Sequence, residues 1–212
     1  MKLNATLRKD KVFRAAMKGI SPIDLPSAGN VFNELVKAIL YQQISVKAAD
    51  TIYARFVDKL GTEEYRPAKL LKISTEDLRA LGLSTQKSRY VHNIATYFKE
   101  HKLYAQDWST LSDEEIVQTL SDIKGVGEWT AQMILIFELG RPDVLPVKDL
   151  AIQQVMVELY ALDALKPKAL YQQMEEVAEA WRPHRTLATQ YLYGWKRAQR
   201  AAAKEKKSKA KS

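Results

Sequence analysis

Apolar residues recur along most of the chain at intervals of three and four positions, the spacing that places them on one face of an α-helix. One such helix is predicted from Val31 to Leu40, directly after Asn30, a favoured N-cap residue. A second is predicted after Ser45, and Gly61 stands where it would end. No stretch alternates between apolar and polar residues as a half-buried strand does. The pattern therefore predicts an all-α protein.

The starts of further helices are marked by capping residues and prolines. Ser74 and Ser112 are each followed three positions later by an acidic residue, which is typical of a capping box. Between them, the apolar positions of Tyr90–Phe98 form the inner face of a longer helix. Pro167 and Pro183 each stand where another helix would begin.

The positive charge is concentrated at one end of the chain. The net charge is +8, yet residues 196–212 hold eight Lys and Arg residues against Glu205, while the preceding 195 residues hold 25 basic and 24 acidic groups. With no apolar residue larger than Ala, this basic tail is predicted to be disordered. It would either aid solubility or attract nucleic acid weakly and in a salt-sensitive way.

Other function classes are excluded by composition. The chain has no cysteine, so disulfides, thiolate zinc sites and iron–sulfur clusters are ruled out. No apolar run approaches the roughly 20 residues that span a bilayer, and the first residues lack a signal-peptide pattern. We therefore expect a soluble intracellular protein that acts without a membrane.

Two glycines stand in a short turn between predicted helices, in the sequence Ile-Lys-Gly-Val-Gly-Glu-Trp at 123–129. Gly125 and Gly127 allow a tight turn without Cβ clashes, and the N–H groups that open the next helix can bind an anion such as a DNA phosphate. Lys124 would add a charge contact. A plain corner between two helices is the alternative interpretation, which the Gly-x-Gly pattern does not exclude.

An aspartate follows this turn after a helix break at 140–146. Asp149 has the position of an N-cap, which alone accounts for it. The positive end of a helix also favours the ionised form of a carboxylate there. An ionised carboxylate is required to stabilise a cationic sugar or to orient a water. Trp129, Met133 and Phe137 share one helix face. Periodicity favours a core role for Trp129, but in a cleft it would provide a flat wall for a flipped nucleobase.

Together these segments resemble the helix-hairpin-helix DNA glycosylase superfamily, and most closely its alkylpurine (3-methyladenine type II) DNA glycosylases. The resemblance runs from about residue 30 to residue 195. It is carried by Ala38–Ala49, Leu120–Ala131, Asp143–Pro146, Asp149 and Trp181–Arg185.

The resemblance implies two helical lobes flanking a DNA-binding cleft, with a helix-hairpin-helix motif. Its lobes would be a central one at 31–149 and a second formed by 1–30 with 150–195, followed by the basic disordered tail at 196–212. The chain is too short before residue 30 for the N-terminal β-rich domain of longer relatives.

The family roles transfer to individual residues. Asp149 matches the catalytic aspartate, and Gln43 matches the wedge that fills the gap left by a flipped nucleotide, with Gln42 a weaker candidate. Trp129 stands where bifunctional relatives carry a Schiff-base lysine, which implies a monofunctional enzyme without lyase activity. The resemblance also implies a base pocket formed by Trp129, Met133 and Tyr193. It implies a hairpin that binds DNA phosphate through Lys124, Gly125, Gly127 and Thr130. A Na⁺ or K⁺ ion would be bound by the backbone carbonyls of Ser121, Ile123 and Val126.

Two of these positions depart from the family pattern. Met133 stands where some relatives have tyrosine, and Tyr193 where they have a second tryptophan. The base pocket is therefore expected to be less aromatic, and its base preference to differ.

The activity implied by the resemblance is hydrolysis of the N-glycosidic bond of alkylated purines, 3-methyladenine and 7-methylguanine, in duplex DNA by base flipping. Such an enzyme would act in base excision repair as a monomer with no required cofactor. It would be intracellular, in the cytoplasm or nucleoid of a bacterium or in the nucleus of a eukaryote. The alternatives are a glycosylase for deaminated or etheno bases, a non-catalytic module that binds damaged DNA, and an interaction scaffold with a basic tail.

Overall fold

The computed structural model describes residues 3–23 and 29–209 of the chain. Over these residues it consists of helices and connecting turns and contains no β-strand, which confirms the all-α prediction. The α-helices are α1 (Lys11–Ala16), α2 (Val31–Tyr41), α3 (Val46–Leu60), α4 (Pro67–Leu70), α5 (Thr75–Ala80), α6 (Thr85–Glu100), α7 (Asp113–Ser121), α8 (Glu128–Met133), α9 (Leu150–Tyr160), α10 (Pro167–Ala178) and α11 (Arg185–Lys209). A π-helical turn (Ile134–Glu138) continues α8, and short 3₁₀ turns lie at Leu7–Lys9, Leu103–Ala105, Trp108–Thr110 and Glu179–Trp181.

The chain folds into two compact units. Pro26–Leu139 forms the central unit, with α2 to α8, and Met1–Leu25 joins Gly140–Ser212 in the terminal unit, with α1 and α9 to α11. The sequence predicts the second boundary after residue 149, whereas the structure assigns the segment from Gly140 onward to the terminal unit. The reason is local: Val144 N donates to Thr186 Oγ1 on α11 at 3.0 Å, which ties this segment to that helix.

The helix starts of the central unit follow the predicted capping residues. Asn30 accepts a hydrogen bond from Asn33 N at 3.1 Å and opens α2. Ser45 and Ser74 cap α3 and α5 in the same way, and Ser112 forms a complete capping box at the start of α7. Helix α2 packs against α3 and α6, where its buried ring at Phe32 meets three other aromatic rings at 5.2 to 5.9 Å.

The terminal unit packs α9 against α11 and α1. Phe13 on α1 lies 5.2 Å from the buried ring of Trp181. The segment after α1 runs close along α11. Ile23 N donates to Gln190 O at 3.0 Å, and a Cβ at Gly194 would overlap the carbonyl oxygen of Ser21. Glycine is therefore required at 194 by this close approach.

The basic tail differs from its prediction. Helix α11 continues through it to Lys209, so residues 196–209 are helical rather than disordered, and the rest of the predicted tail, 210–212, lies outside the described residues. The physical reason is that Ala, Lys, Arg and Gln favour helix, and the buried turns of α11 up to Trp195 remove the cost of nucleation. Among the described residues, no helix is both long and apolar enough to cross a membrane.

Candidate functional site

The hairpin between α7 and α8 is closed by its own backbone. Ile123 N donates to Leu120 O at 3.2 Å, and Val126 N donates to Ile123 O at 2.9 Å. The side chains of Ile123 and Val126 are buried, while Lys124 between them is exposed. Two apolar anchors therefore hold the turn against the central unit and leave its lysine on the surface.

The two hairpin glycines have different roles. Gly125 has φ +111°, and a Cβ there would overlap the ring of Tyr90 on α6. Asn93 Nδ2, also on α6, donates to Lys124 O at 2.9 Å and fixes the same turn. Gly127 has φ −97°, with open space where a Cβ would stand. The turn therefore needs glycine at 125, whereas the backbone at Gly127 is one that any residue adopts.

The N-terminus of α8 has no side-chain cap. Trp129 in its first turn is 40% exposed, so the core role favoured by periodicity does not apply. Thr130, in the same turn, is buried, with only 3% of the residue exposed. Met133 is half-buried.

The helix widens after Met133. The hydrogen bond from Leu139 N to Ile134 O, 2.9 Å, spans five residues, as in a π-turn. Phe137 lies within this π-turn and, like Met133, is half-buried.

The turn between α2 and α3 presents the predicted wedge residue. Gln43 is exposed and has φ +57°, a left-handed conformation that costs a non-glycine residue about 1–2 kcal/mol. Its neighbour Gln42 ends α2, with its N–H donating to Ala38 O at 3.1 Å. The apolar side chain of Ile44 is also exposed. The strained conformation is typical of turns that present a side chain for binding.

Sequence analysis missed a lysine that supports this turn. Lys87 Nζ donates to Leu40 O, 2.8 Å away, near the end of α2. Burial lowers the pKa of this lysine. The two residues lie 47 positions apart, so no local pattern indicates the contact.

In the terminal unit, Asp149 is the N-cap of α9, as predicted, and is only 7% exposed. Its Oδ1 accepts from Ile152 N at 2.9 Å, and its Oδ2 accepts from the hydroxyl of Tyr193 at 3.0 Å. The backbone donor fixes one oxygen and the phenol fixes the other. The carboxylate is therefore held in one orientation, as an electrostatic role at a reacting sugar requires.

Tyr193 is brought to Asp149 by the packing of α11 on α9. Burial raises the pKa of the Tyr193 phenol, and the negative charge of Asp149 and the hydrogen bond to it raise it further. The phenol therefore remains a donor at neutral pH. The sequence analysis assigned Tyr193 to the base pocket and did not predict its contact with the aspartate.

The segment that leads to Asp149 is fixed by an ion-pair cluster. Asp143 Oδ1 accepts from Arg185 Nε at 2.8 Å, and Asp143 Oδ2 accepts from Arg182 at 2.6 Å. Burial works against ionisation of Asp143, but the hydrogen bonds and charge of Arg185, with the charge of Arg182, lower its pKa overall. Closer to Asp149, Gln153 Nε2 donates to Val147 O at 2.8 Å.

The structure thus places the predicted residues in three groups. The hairpin with Trp129, Thr130 and Met133 is one, the turn carrying Gln43 is another, and Asp149 with Tyr193 is the third. In the part of the chain that the structure describes, no cluster of His, Asp and Glu could hold a metal ion.

Comparisons with known proteins show which family the chain resembles. The model of the HhH-GPD superfamily base excision DNA repair protein matches residues 36–183, which include the hairpin and Asp149. The protein YfjP of Bacillus subtilis is 29% identical over 170 residues, 77% of this chain and 58% of that protein. DNA-3-methyladenine glycosylase 1 of Schizosaccharomyces pombe is 33% identical over 164 residues, 76% of this chain and 71% of that protein.

A solved structure has the same fold. It is the 3-methyladenine DNA glycosylase Mag1 of Schizosaccharomyces pombe in complex with abasic DNA, which matches with a TM-score of 0.75 and 29% identity. The match covers 92% of this chain and 95% of that one. The chain therefore spans nearly all of Mag1 as solved but less than two thirds of YfjP.

Proposed function

The chain belongs to the HhH-GPD superfamily of base excision DNA repair proteins, and from that premise we propose that it is a monofunctional DNA glycosylase. Its substrates are 3-methyladenine and 7-methylguanine in duplex DNA. The observation that carries the proposal is Asp149, a buried carboxylate held by Ile152 N and the Tyr193 hydroxyl within the matched region. The relatives named as 3-methyladenine glycosylases support the substrate class.

The reaction needs little acid catalysis. Alkylation at N3 or N7 makes the purine cationic, so cleavage of the N-glycosidic bond releases a neutral base and leaves the positive charge on the sugar. Asp149 stabilises this oxocarbenium-like sugar and orients a water. The water oxygen bonds to C1′ and its proton passes to solvent, which leaves a free base and an abasic site.

Binding to DNA is assigned to the central unit. The N-terminus of α8 and the hairpin at Lys124, Gly125 and Gly127 contact phosphates, with Thr130 contributing its backbone N–H. Gln43 fills the stack after the nucleotide flips, and its left-handed, exposed position supports this role. The abasic DNA in the Mag1 complex supports DNA as the partner. We propose that the enzyme acts as a monomer, in the part of the cell that contains its DNA.

Contacts with the flipped base are assigned to Trp129 and Met133 in the central unit. An exposed indole suits a cationic base, because the ring quadrupole attracts positive charge. In the terminal unit, Tyr193 holds Asp149. Trp129 carries no amine, so no Schiff base forms at this position and the DNA strand is left intact after base release.

The proposed reaction requires no cofactor. For a structural cation, the donors would be the carbonyls of Ser121 at the end of α7 and of Ile123 and Val126 in the hairpin. Ile123 O also accepts from Val126 N. These are neutral oxygens, a set that fits Na⁺ or K⁺ better than a divalent ion, which takes carboxylate ligands. The hydroxyl of Ser121, buried without a hydrogen-bond partner, adds a polar atom to this region.

The test is a substrate panel under single-turnover conditions. Duplexes carrying 3-methyladenine, 7-methylguanine, ethenoadenine, uracil or hypoxanthine are each incubated with excess protein, in EDTA, and released bases are quantified. We expect release of the two methylated purines, with strands that break only after alkali. Release of the etheno or deaminated bases instead would replace the substrate assignment, and tight binding with no release would favour a non-catalytic binding module.

A further inference from the structure

Helix α11 extends well beyond the core of the terminal unit. Trp195 is its last buried side chain, and residues 197–206 are all exposed. The helix continues to Lys209, 14 residues after Trp195, which corresponds to about 21 Å at 1.5 Å per residue. We name residues 196–209 the α11 extension.

Four of the five basic residues at 196–206 lie on one side of the extension, and the fifth, Lys206, lies about 80° outside their arc. At 100° per residue, Lys196, Arg197, Arg200 and Lys204 fall within an arc of about 100°. Glu205, the acidic residue of the extension, falls about 180° from Lys196 on the opposite side. A stripe of four basic residues thus runs along one face of the exposed helix.

The rest of the chain has almost no surplus of positive charge, with 25 basic and 24 acidic groups before Lys196. General attraction to a polyanion therefore comes from the extension rather than from the body of the protein. The extension also lacks any apolar residue larger than Ala. Because an interfacial helix needs an apolar face to enter a bilayer, the pattern favours nucleic acid over a membrane surface.

We propose that the α11 extension is a DNA-binding arm, whose basic stripe contacts backbone phosphates of the duplex without sequence preference. The inference rests on the proposed function, since duplex DNA is the partner it names. The like charges of Lys196, Arg200 and Lys204 at four-residue spacing repel one another in the free helix. Phosphates along a duplex neutralise that repulsion, so DNA binding should also stabilise the extension as a helix.

The experiment measures affinity for an undamaged 25-base-pair duplex across a range of salt concentrations. The test variant changes Lys196, Arg197, Arg200 and Lys204 to Gln, a residue that keeps helix propensity. The matched control changes Lys69, Lys72, Arg79 and Lys99, four exposed basic residues of the central unit, to Gln. Both variants lose the same net charge, so they separate a contact of the arm from the effect of total charge.

We expect the slope of log affinity against log salt concentration to be smaller in magnitude by about 3 to 4 in the test variant. This is the loss of about 0.9 in slope for each of four phosphate contacts. The control should change the slope by less than 1. Equal changes in both variants, or no change in the test variant, would overturn the proposal. Loss of binding to phosphatidylserine vesicles with unchanged DNA affinity would overturn it in favour of a membrane.

Base release at saturating enzyme separates this proposal from the proposed function. The test variant should release 3-methyladenine at the wild-type rate once bound, because its changes lie outside the residues assigned to catalysis. If the wild type releases no base but the slope changes as expected, the arm stands and the substrate assignment fails.

Discussion

Two aspartates of the terminal unit cap helices with nearly the same geometry. Asp10 accepts from Phe13 N at 2.9 Å through Oδ1 and from the hydroxyl of Tyr160 at 2.7 Å through Oδ2. Asp149 accepts from Ile152 N at 2.9 Å and from the hydroxyl of Tyr193 at 3.0 Å in the same pattern. Each therefore combines a backbone cap with a tyrosine donor.

Their surroundings differ. Oδ2 of Asp10 also accepts from the indole of Trp181 at 3.0 Å, so this carboxylate joins α1, α9 and the turn before α11. Asp149 lies inside the segment matched by the HhH-GPD family model, and Asp10 lies outside it. Asp149 is buried, whereas Asp10 is only partly buried. We assign structure to Asp10 and chemistry to Asp149, and the following variants test that division.

The largest effect on stability is expected at Asp10. Asp10→Ala removes the cap and leaves two side-chain donors, Tyr160 and Trp181, without their acceptor, which should lower the free energy of unfolding by about 3–4 kcal/mol. Asp149→Ala removes its cap and leaves the Tyr193 hydroxyl without this acceptor, which should cost about 2–3 kcal/mol. Urea unfolding of both variants measures the difference. A larger loss at Asp149 would place its main role in stability.

The hairpin glycines offer a second separation of structure from function. Gly125→Ala should destabilise the central unit by about 2–3 kcal/mol, because its Cβ meets the ring of Tyr90 at a positive φ. Gly127→Ala should leave the melting temperature within a few degrees and weaken DNA binding by about tenfold, because the methyl group stands before the α8 N-terminus. Thermal melts and DNA titrations distinguish them. If the Gly127 variant binds DNA like the wild type, no phosphate approaches this residue.

The tyrosines that donate to the two aspartates, Tyr193 and Tyr160, can be compared in the same way. Tyr193→Phe removes the donor to Asp149 and should lower the rate of base release by roughly 10-fold to 100-fold, as expected for a hydrogen bond to a charged group worth about 1.5–3 kcal/mol. Tyr160→Phe removes the matching donor to Asp10 and should change stability but not the rate. Single-turnover release of 3-methyladenine reports the rate, and equal rates in the two variants would remove Tyr193 as a positioning residue.

A third aspartate, Asp143, gives the smallest expected effect, on acid stability. Since Arg185 and Arg182 lower its pKa in the folded protein, its ionisation stabilises the fold above the ordinary carboxyl pKa of about 4. That stability is lost as the pH falls through the lowered pKa. Asp143→Asn should therefore be less stable than the wild type at pH 7, with the gap closing below about pH 4. A gap independent of pH would show that the charge of Asp143 is not what matters.

The helix starts could be predicted because capping is local. Asn30, Ser45 and Ser112 bond to the backbone three residues ahead, so a short sequence contains both partners. The N-cap position of Asp149 was predictable for the same reason. Its bond to Tyr193 spans 44 residues and arises only when α11 packs on α9, so no local pattern reveals it.

Two other differences have energetic causes. The apolar spacing of Trp129, Met133 and Phe137 fits a regular α-helix, and it carries no signal for the π-turn at Ile134–Glu138. The α11 extension was predicted to be disordered because it has no apolar residue larger than Ala, but its helix propensity prevails once the helix has been started by residues up to Trp195. In both cases the tertiary packing of neighbouring turns decides the local conformation.

The most direct test of the account compares Asp149→Asn with Asp10→Asn. These variants remove one negative charge each from closely similar caps and keep the side-chain shape. Single-turnover release of 3-methyladenine from duplex DNA is measured at saturating enzyme, with circular dichroism and DNA binding as checks of folding. We predict that Asp149→Asn binds DNA but releases base at least 100-fold more slowly, while Asp10→Asn releases it at the wild-type rate. Equal rates in the two variants would contradict the assignment of the chemistry to Asp149.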